Sequence, residues 1–318
     1  MDGQPQSLGG RQGPATPGGA TRDSARQREG LLLLGTVVLA WGLGWPVNKV
    51  ILESLSPLWA VALRCAVATL ALFAIAIGRG RLTVPSRADV PVLLSITLLH
   101  IVGFGVLGSV GLHLVPTGRS AVLAYTTPLW VTPGASLFLR ERPTGRGTLG
   151  VVAGLLGLII LFNPLAFDWT NRAAVLGNLA MVAAALLWAA SILHIRGHRW
   201  HATPFDLVPW ETLLATGILT PIAFVFSGGP AVAWTARLGL LVLYAGVPGT
   251  ALAYWAVAMA SRNLPAVITS LGLLGTPVIS LVIATFWLGE SLTVTLVVAI
   301  VLILGGVAMG VTGKGART

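Results

Sequence analysis

The stretch Thr117-Gly118-Arg119-Ser120-Ala121-Val122-Leu123-Ala124-Tyr125-Thr126-Thr127-Pro128, continuing to Leu139-Arg140-Glu141-Arg142-Pro143-Thr144, decides the fold. An altered copy lies between Ala266 and Thr293. Sliding the first copy forward by 149 positions puts Thr127-Pro128 on Thr276-Pro277, Leu139 on Leu288, Glu141 on Glu290 and Thr144 on Thr293. Each copy reads as an apolar helix with a proline near its middle and a glutamate at its C-terminal end. A proline there lacks an N–H and strands the carbonyl four residues back, Ala124 in one copy and Leu273 in the other. Lipid cannot satisfy a stranded carbonyl, so protein or a water-filled cavity must cover each break. Two broken helices at matching positions of two halves are the sequence mark of a transporter's central site.

The 318 residues are 55% hydrophobic and 9% charged, with a mean hydropathy of +0.86. Soluble domains carry about 25% charged residues, so this composition cannot cover a water-exposed surface and specifies an integral membrane protein. The net charge of +10 sits almost wholly in short loops between apolar runs, which argues against nucleic acid as a partner. Cys65 lies alone inside an apolar run, excludes an intrachain disulfide and reads as a small buried hydrophobe. Residues 1–30 are rich in Gly, Pro, Gln and Arg and read as a disordered tail, with a second short tail at 313–318. Arg26 and Arg28 before Leu31–Leu34 imitate a signal peptide. The apolar run continues to Leu52, however, too long for a cleaved segment. There is no phosphate-binding glycine loop, no His-Glu-x-x-His and no cysteine cluster, so neither an enzyme nor a cofactor nor a metal is expected.

Spanning a bilayer takes about 20 apolar residues. Ten runs qualify: 31–52, 57–78, 90–113, 117–139, 145–163, 174–195, 205–226, 237–260, 264–288 and 292–312. With the N-terminus inside, the inner segments hold Arg79, Arg81, Arg87, Arg140, Arg142, Arg146, Arg196, Arg199 and Arg262 besides the basic residues of both tails. The outer segments hold Arg119, Arg172 and Arg237. That bias places both termini in the cytoplasm. The repeat extends further, since a shift of 147 carries Trp41 to Trp188 and Pro57 to Pro204. Five spans per half is odd, so the second half must be inverted. The predicted fold is all-α: ten transmembrane helices in two inverted five-helix repeats, 31–163 and 174–312.

Several quoted residues resemble a known family. Trp41-Gly42 with Asn48-Lys49, Pro57 with Arg64, Leu123 to Pro128 with Leu139-Arg140-Glu141-Arg142, and Gly272 to Pro277 with Leu288-Gly289-Glu290 resemble the EamA-type unit of the drug/metabolite transporter superfamily. The resemblance covers roughly residues 31–162 and 175–312. It implies a ten-helix secondary transporter with a central cavity, often an exporter of amino acids or other small metabolites.

Within that frame certain residues carry chemistry. Trp41, Trp45 and Asn48 share one helix face and could line a cavity; packing between helices explains the tryptophans as well. Lys49 is expected to snorkel to the outer surface. Arg64 sits about 10 Å below that surface and needs a partner, with Glu290 the first choice and Glu53 the second. Glu211, its repeat counterpart, should lie near the inner surface within reach of Arg140 or Arg142. Arg64, Glu211 and Glu290 are therefore the candidates for ion pairs or a gate. His100, midway through the third span, could relay a proton or simply pack. Tyr125 near Pro128, and Tyr254 and Trp255 after Pro248-Gly249, could bring polar edges to a site flanked by Pro128 and Pro277. Gly150-xxx-Gly154 and Gly306-xxx-Gly310 read as close helix contacts within one chain, with a homodimer seam as the alternative to a monomer. His194, His198 and His201 read as a solvated basic turn without a carboxylate nearby.

The chain is thus expected to be a secondary transporter of the plasma (inner) membrane, moving small polar, amino-acid-like solutes outward by alternating access. Proton coupling is one option for its driving force. Uptake of sugar or nucleotide-like solutes is the alternative, and an intramembrane enzyme or non-transporting scaffold is the reading from a different class.

Overall fold

The computed structural model describes residues 17–140, 144–162, 168–230, 232–264 and 266–312, and every element among them is helical. The first half comprises α1 (Pro17–Ile51), α2 (Pro57–Gly78), α3 (Val90–Ser95), a π-helical stretch Ile96–Phe104, α4 (Gly105–Leu114), α5 (Thr117–Ala124), α6 (Thr127–Phe138) and α7 (Gly145–Phe162). The second comprises α8 (Arg172–Gly197), α9 (Pro204–Ser227), α10 (Ala236–Gly246), a π-helical stretch Val247–Leu252, α11 (Ala253–Asn263), α12 (Ala266–Leu273), α13 (Gly275–Leu288) and α14 (Val294–Thr312).

Local chemistry sets these boundaries. Ser56, Asn171, Thr203 and Thr235 each cap a helix by accepting a backbone N–H into the side chain, and Pro57 and Pro204 follow directly as first helical residues. Gly289, with φ of 70°, ends α13 in the left-handed region that glycine adopts without strain. One expectation is corrected: residues 17–30 are not irregular but form the first turns of α1. Once the apolar run has nucleated a helix, each added residue gains a hydrogen bond. Residues 1–16 and 313–318 of the two tails lie outside the described residues.

Among the described residues, eight helices are long and apolar enough to cross a membrane, and Val294–Gly310 is a shorter apolar helix. Between 28% and 39% of the most apolar window of each long helix is buried. The long helices expose large apolar side chains such as Leu70, Phe226, Leu240 and Phe286. Water would oppose that surface and hydrocarbon accepts it.

The two sequence halves do not form separate bundles. The most extensive pairings, α7 with α14, α2 with α9, α1 with α11 and α13, and α4 with α8, all join one half to the other. Alternating spans define two ends. At one, α1 finishes and α2 starts, near Lys49. At the other, α2 finishes and α3 starts, near Asp89. Asp89 is fully buried there and accepts hydrogen bonds from His198 Nε2, Ser86 Oγ and the His201 and Ala202 amides. Those donors, His198 foremost, hold its carboxyl well below the usual carboxylate range.

Candidate functional site

The fourth predicted span is two helices, broken at Tyr125-Thr126 just before Pro128. The carbonyl that Pro128 strands is not left bare. The Thr127 hydroxyl donates to Ala124 O at 2.7 Å, and the Thr126 hydroxyl donates to Leu123 O at 2.6 Å. The Thr127 side chain thus replaces the hydrogen bond that the proline removes. The ninth predicted span breaks likewise at Leu274. The third and eighth spans carry the two π-helical stretches, a distortion common at functional sites. Gly249 lies in the second, and Gly249 O accepts the Trp41 indole N–H at 3.1 Å.

Tyr125 at the first break and both π-helical stretches line a cavity of about 140 Å³ in mid-bundle; the break at Leu274 does not reach it. A cavity of roughly 150 Å³ holds a benzene-sized molecule. Trp41, Trp45, Asn48, Arg64, His100, Tyr125 and Tyr254 all line it; Trp255, Pro128, Pro277, Glu211 and Glu290 do not. Its wall also includes Trp188, Phe104, Thr212 and Thr250, which the residue pattern had not singled out. Trp188 was legible, because it is the 147-position image of Trp41. The lining runs from Tyr254, Trp188 and His100 toward Asn48 and Leu112, the Lys49 end; none comes from the Asp89 end.

Aromatic surfaces dominate. The His100 ring stacks on Trp188, with centroids 5.2 Å apart and planes 3° from parallel. Phe104 leans on Trp188 at 5.0 Å and Tyr125 meets it edge-on at 6.1 Å. Trp41 meets Tyr254 edge-on at 6.1 Å. Arg64 is the cation of the wall, and its Nε is buried without a hydrogen-bond partner among the described residues. Gly105 leaves the space it occupies: a Cβ there would lie 3.3 Å from Arg64 Nη2.

Arg64 is not paired with Glu290. The Glu290 carboxylate instead accepts from the Thr117 N–H at 2.6 Å and the Gly118 N–H at 2.9 Å, the buried first amides of α5, which have no acceptor within their own helix. A helix N-terminus offers a carboxylate oriented donors and a favourable dipole without immobilising a long cation. Glu53, the second choice, is exposed. Lys49 does not snorkel either. Its Nζ donates to Leu112 O, His113 O and Val115 O at 2.6, 3.3 and 3.0 Å, capping the end of α4. Lys49 and Glu290 together pin the α4–α5 turn. Glu211, only 4% exposed, has no ion-pair partner among the described residues and does not meet Arg140. Its helix packs on α2, α3 and α11. Arg142 and Glu141 fall outside the described residues.

The model of the EamA-like transporter family matches this chain twice, over residues 28–163 and 175–312. The chain is 26% identical to the uncharacterized transporter YoaV of Bacillus subtilis, covering 86% of this chain and 94% of that one. It is 27% identical to the uncharacterized inner membrane transporter YedA of Escherichia coli, over 91% and 94%. Over 46% of both chains it is 33% identical to a riboflavin transporter of Vibrio cholerae. A protein crystal structure superposes with a TM-score of 0.65 at 21% identity, covering 92% of this chain and 100% of the other. The double family match over most of the sequence, on a bundle of apolar helices, makes this chain a member of the EamA-like transporter family.

Proposed function

We propose that this chain is a ten-span secondary transporter of the plasma membrane, built as two inverted five-helix repeats with both termini cytoplasmic. It moves small organic solutes that combine a flat apolar part with an anionic group, aromatic amino acids and related acids being the favoured class, and it moves them outward. The observation that carries this is the cavity itself: stacked aromatic faces beside an arginine whose Nε has no hydrogen-bond partner among the described residues. Ring faces take a planar group, and a guanidinium takes a carboxylate by two parallel hydrogen bonds. The buried Arg64 Nε lacks a partner among the described residues, and a bound anion would supply one. The riboflavin transporter match is consistent with a planar solute.

Alternating access needs a seam that can part. The α5–α13 contact suits this, because the buried hydroxyls of Thr117, Ser120 and Ser280 in it have no partners among the described residues. Opening there breaks few hydrogen bonds beyond those of Glu290. The test is flux in vesicles reconstituted with the full chain, screening aromatic amino acids, riboflavin, aliphatic amino acids and sugars, with and without a proton gradient. Planar anionic solutes should move, and Arg64→Gln should slow them at least about tenfold at normal expression, the loss of a charge-assisted pair. Preferred flux of sugars, or an Arg64→Gln variant with wild-type rates, refutes the reading.

A further inference from the structure

The histidines of the α8–α9 connection do have a carboxylate beside them. It comes from Asp89, 109 residues earlier in the chain and in the other half. His198 Nε2 lies 2.9 Å from Asp89 Oδ1, and His201 Nδ1 lies 3.5 Å from the same oxygen. One ligand atom from each of the three residues falls within 4.8 Å of the others. We infer that Asp89, His198 and His201 form a binding site for a divalent transition-metal ion of the zinc type, bridging the two halves at the end remote from the cavity.

The geometry carries this. Zinc takes nitrogen and carboxylate ligands at about 2.0–2.2 Å in a tetrahedron, which puts neighbouring ligand atoms roughly 3.3 Å apart. The separations of 2.9 and 3.5 Å straddle that value. The set is held unequally. Asp89 is fully buried and fixed by the Ser86 hydroxyl and two backbone amides, which orient the ligating oxygen as an outer layer does in metal sites. The His198 side chain is 12% exposed and lies edge-on against Trp200. The His201 side chain is 57% exposed and can swing to close the third edge. Two imidazoles and one carboxylate with an open fourth position suit Zn²⁺, and also Co²⁺ or Ni²⁺, and disfavour Ca²⁺ and Mg²⁺, which need more oxygens.

The ligands come from the segment before α3 and the segment after α8. A metal ion there ties the two halves together at the Asp89 end. On the alternating-access reading proposed above, that end must part for the cavity to open toward it, so a bound ion slows flux. Binding itself does not depend on that reading.

The test uses the full chain, purified without an affinity-tag histidine run, titrated with ZnCl₂ by calorimetry and with CoCl₂ by visible absorption. One ion per chain should bind with a dissociation constant tighter than about 100 μM, and Co²⁺ should give the intense bands of a tetrahedral site. His201→Ala touches an exposed side chain and leaves folding intact; it should weaken binding at least about tenfold, as should His198→Ala. His194→Ala should bind as the wild type does, because His194 contributes no ligand atom. Wild-type binding no tighter than about 1 mM, or equal binding by wild type and both ligand variants, overturns the site. Zinc-sensitive flux that survives in His201→Ala overturns the slowing at this site, whatever the solute proves to be.

Discussion

Gly306→Ala should loosen the bundle, whereas Gly310→Ala, one turn along the same helix, should not. A Cβ on Gly306 would lie 2.4 Å from Gly150 O, 2.8 Å from Gly154 N and 3.1 Å from Gly154 Cα, all backbone atoms that cannot rotate aside. The contact is reciprocal, since a Cβ on Gly150 would lie 2.4 Å from Gly306 O. Ordinary contact begins near 3.4 Å, so α7 and α14 would have to part by about 1 Å, and a gap of that order forfeits a quarter to a half of each dispersion contact across the seam. Overpacking of this kind destabilises by about 1–3 kcal/mol, and rigid neighbours place Gly306→Ala at the upper end. Gly310 has nothing within 4 Å of its Cβ position among the described residues. There the substitution gains up to about 1 kcal/mol of helix propensity. The assay is thermal unfolding of the purified full chain in detergent, followed by tryptophan fluorescence. The Gly306→Ala midpoint should fall by roughly 5 °C and that of Gly310→Ala should hold or rise. Equal losses in both, or no loss at Gly306, would show that the α7–α14 seam is not packed as described.

Thr127→Val should destabilise by about 1–3 kcal/mol, because it leaves the buried Ala124 carbonyl without a donor; Thr127→Ser keeps the hydroxyl and should melt like wild type. Glu290→Ala removes the acceptor for the Thr117 and Gly118 amides. It should weaken the start of α5 by about 1–2 kcal/mol, seen as faster hydrogen exchange at those two amides, with Glu290→Gln intermediate. Trp188→Ala deletes the surface on which His100 stacks. It should raise the apparent KM for a planar solute roughly three- to tenfold, the worth of one aromatic contact, and unchanged KM would remove Trp188 from the binding surface.

Much of the helix layout was readable from residues alone. Pro57 and Gly78 bound α2 as its apolar run suggests, and the proline at 128 marked the break between α5 and α6. These are local properties. Hydrophobicity sums over a window, a cap acts within one turn, and a proline removes its own hydrogen bond, so neighbours in sequence suffice to decide them. The π-helical turn at Ile96–Phe104 had no such mark, since Pro91 only starts α3 and no proline lies within the stretch. The Lys49 tail illustrates the limit: its depth was legible, but not that three carbonyls at the end of α4 and just beyond it would receive it.

Sequence by itself determined that this chain lives in a membrane, where its capped and proline-marked helices begin, and that its two halves echo each other. Tertiary structure alone decided the pairings. Glu290 went to the α5 amides rather than to Arg64, Asp89 went to His198 and His201, and Gly306 rather than Gly310 became the point of closest approach. Each pairing joins residues more than a hundred positions apart. It turns on helix rotation and offset of about an ångström, which no sum over neighbouring residues contains.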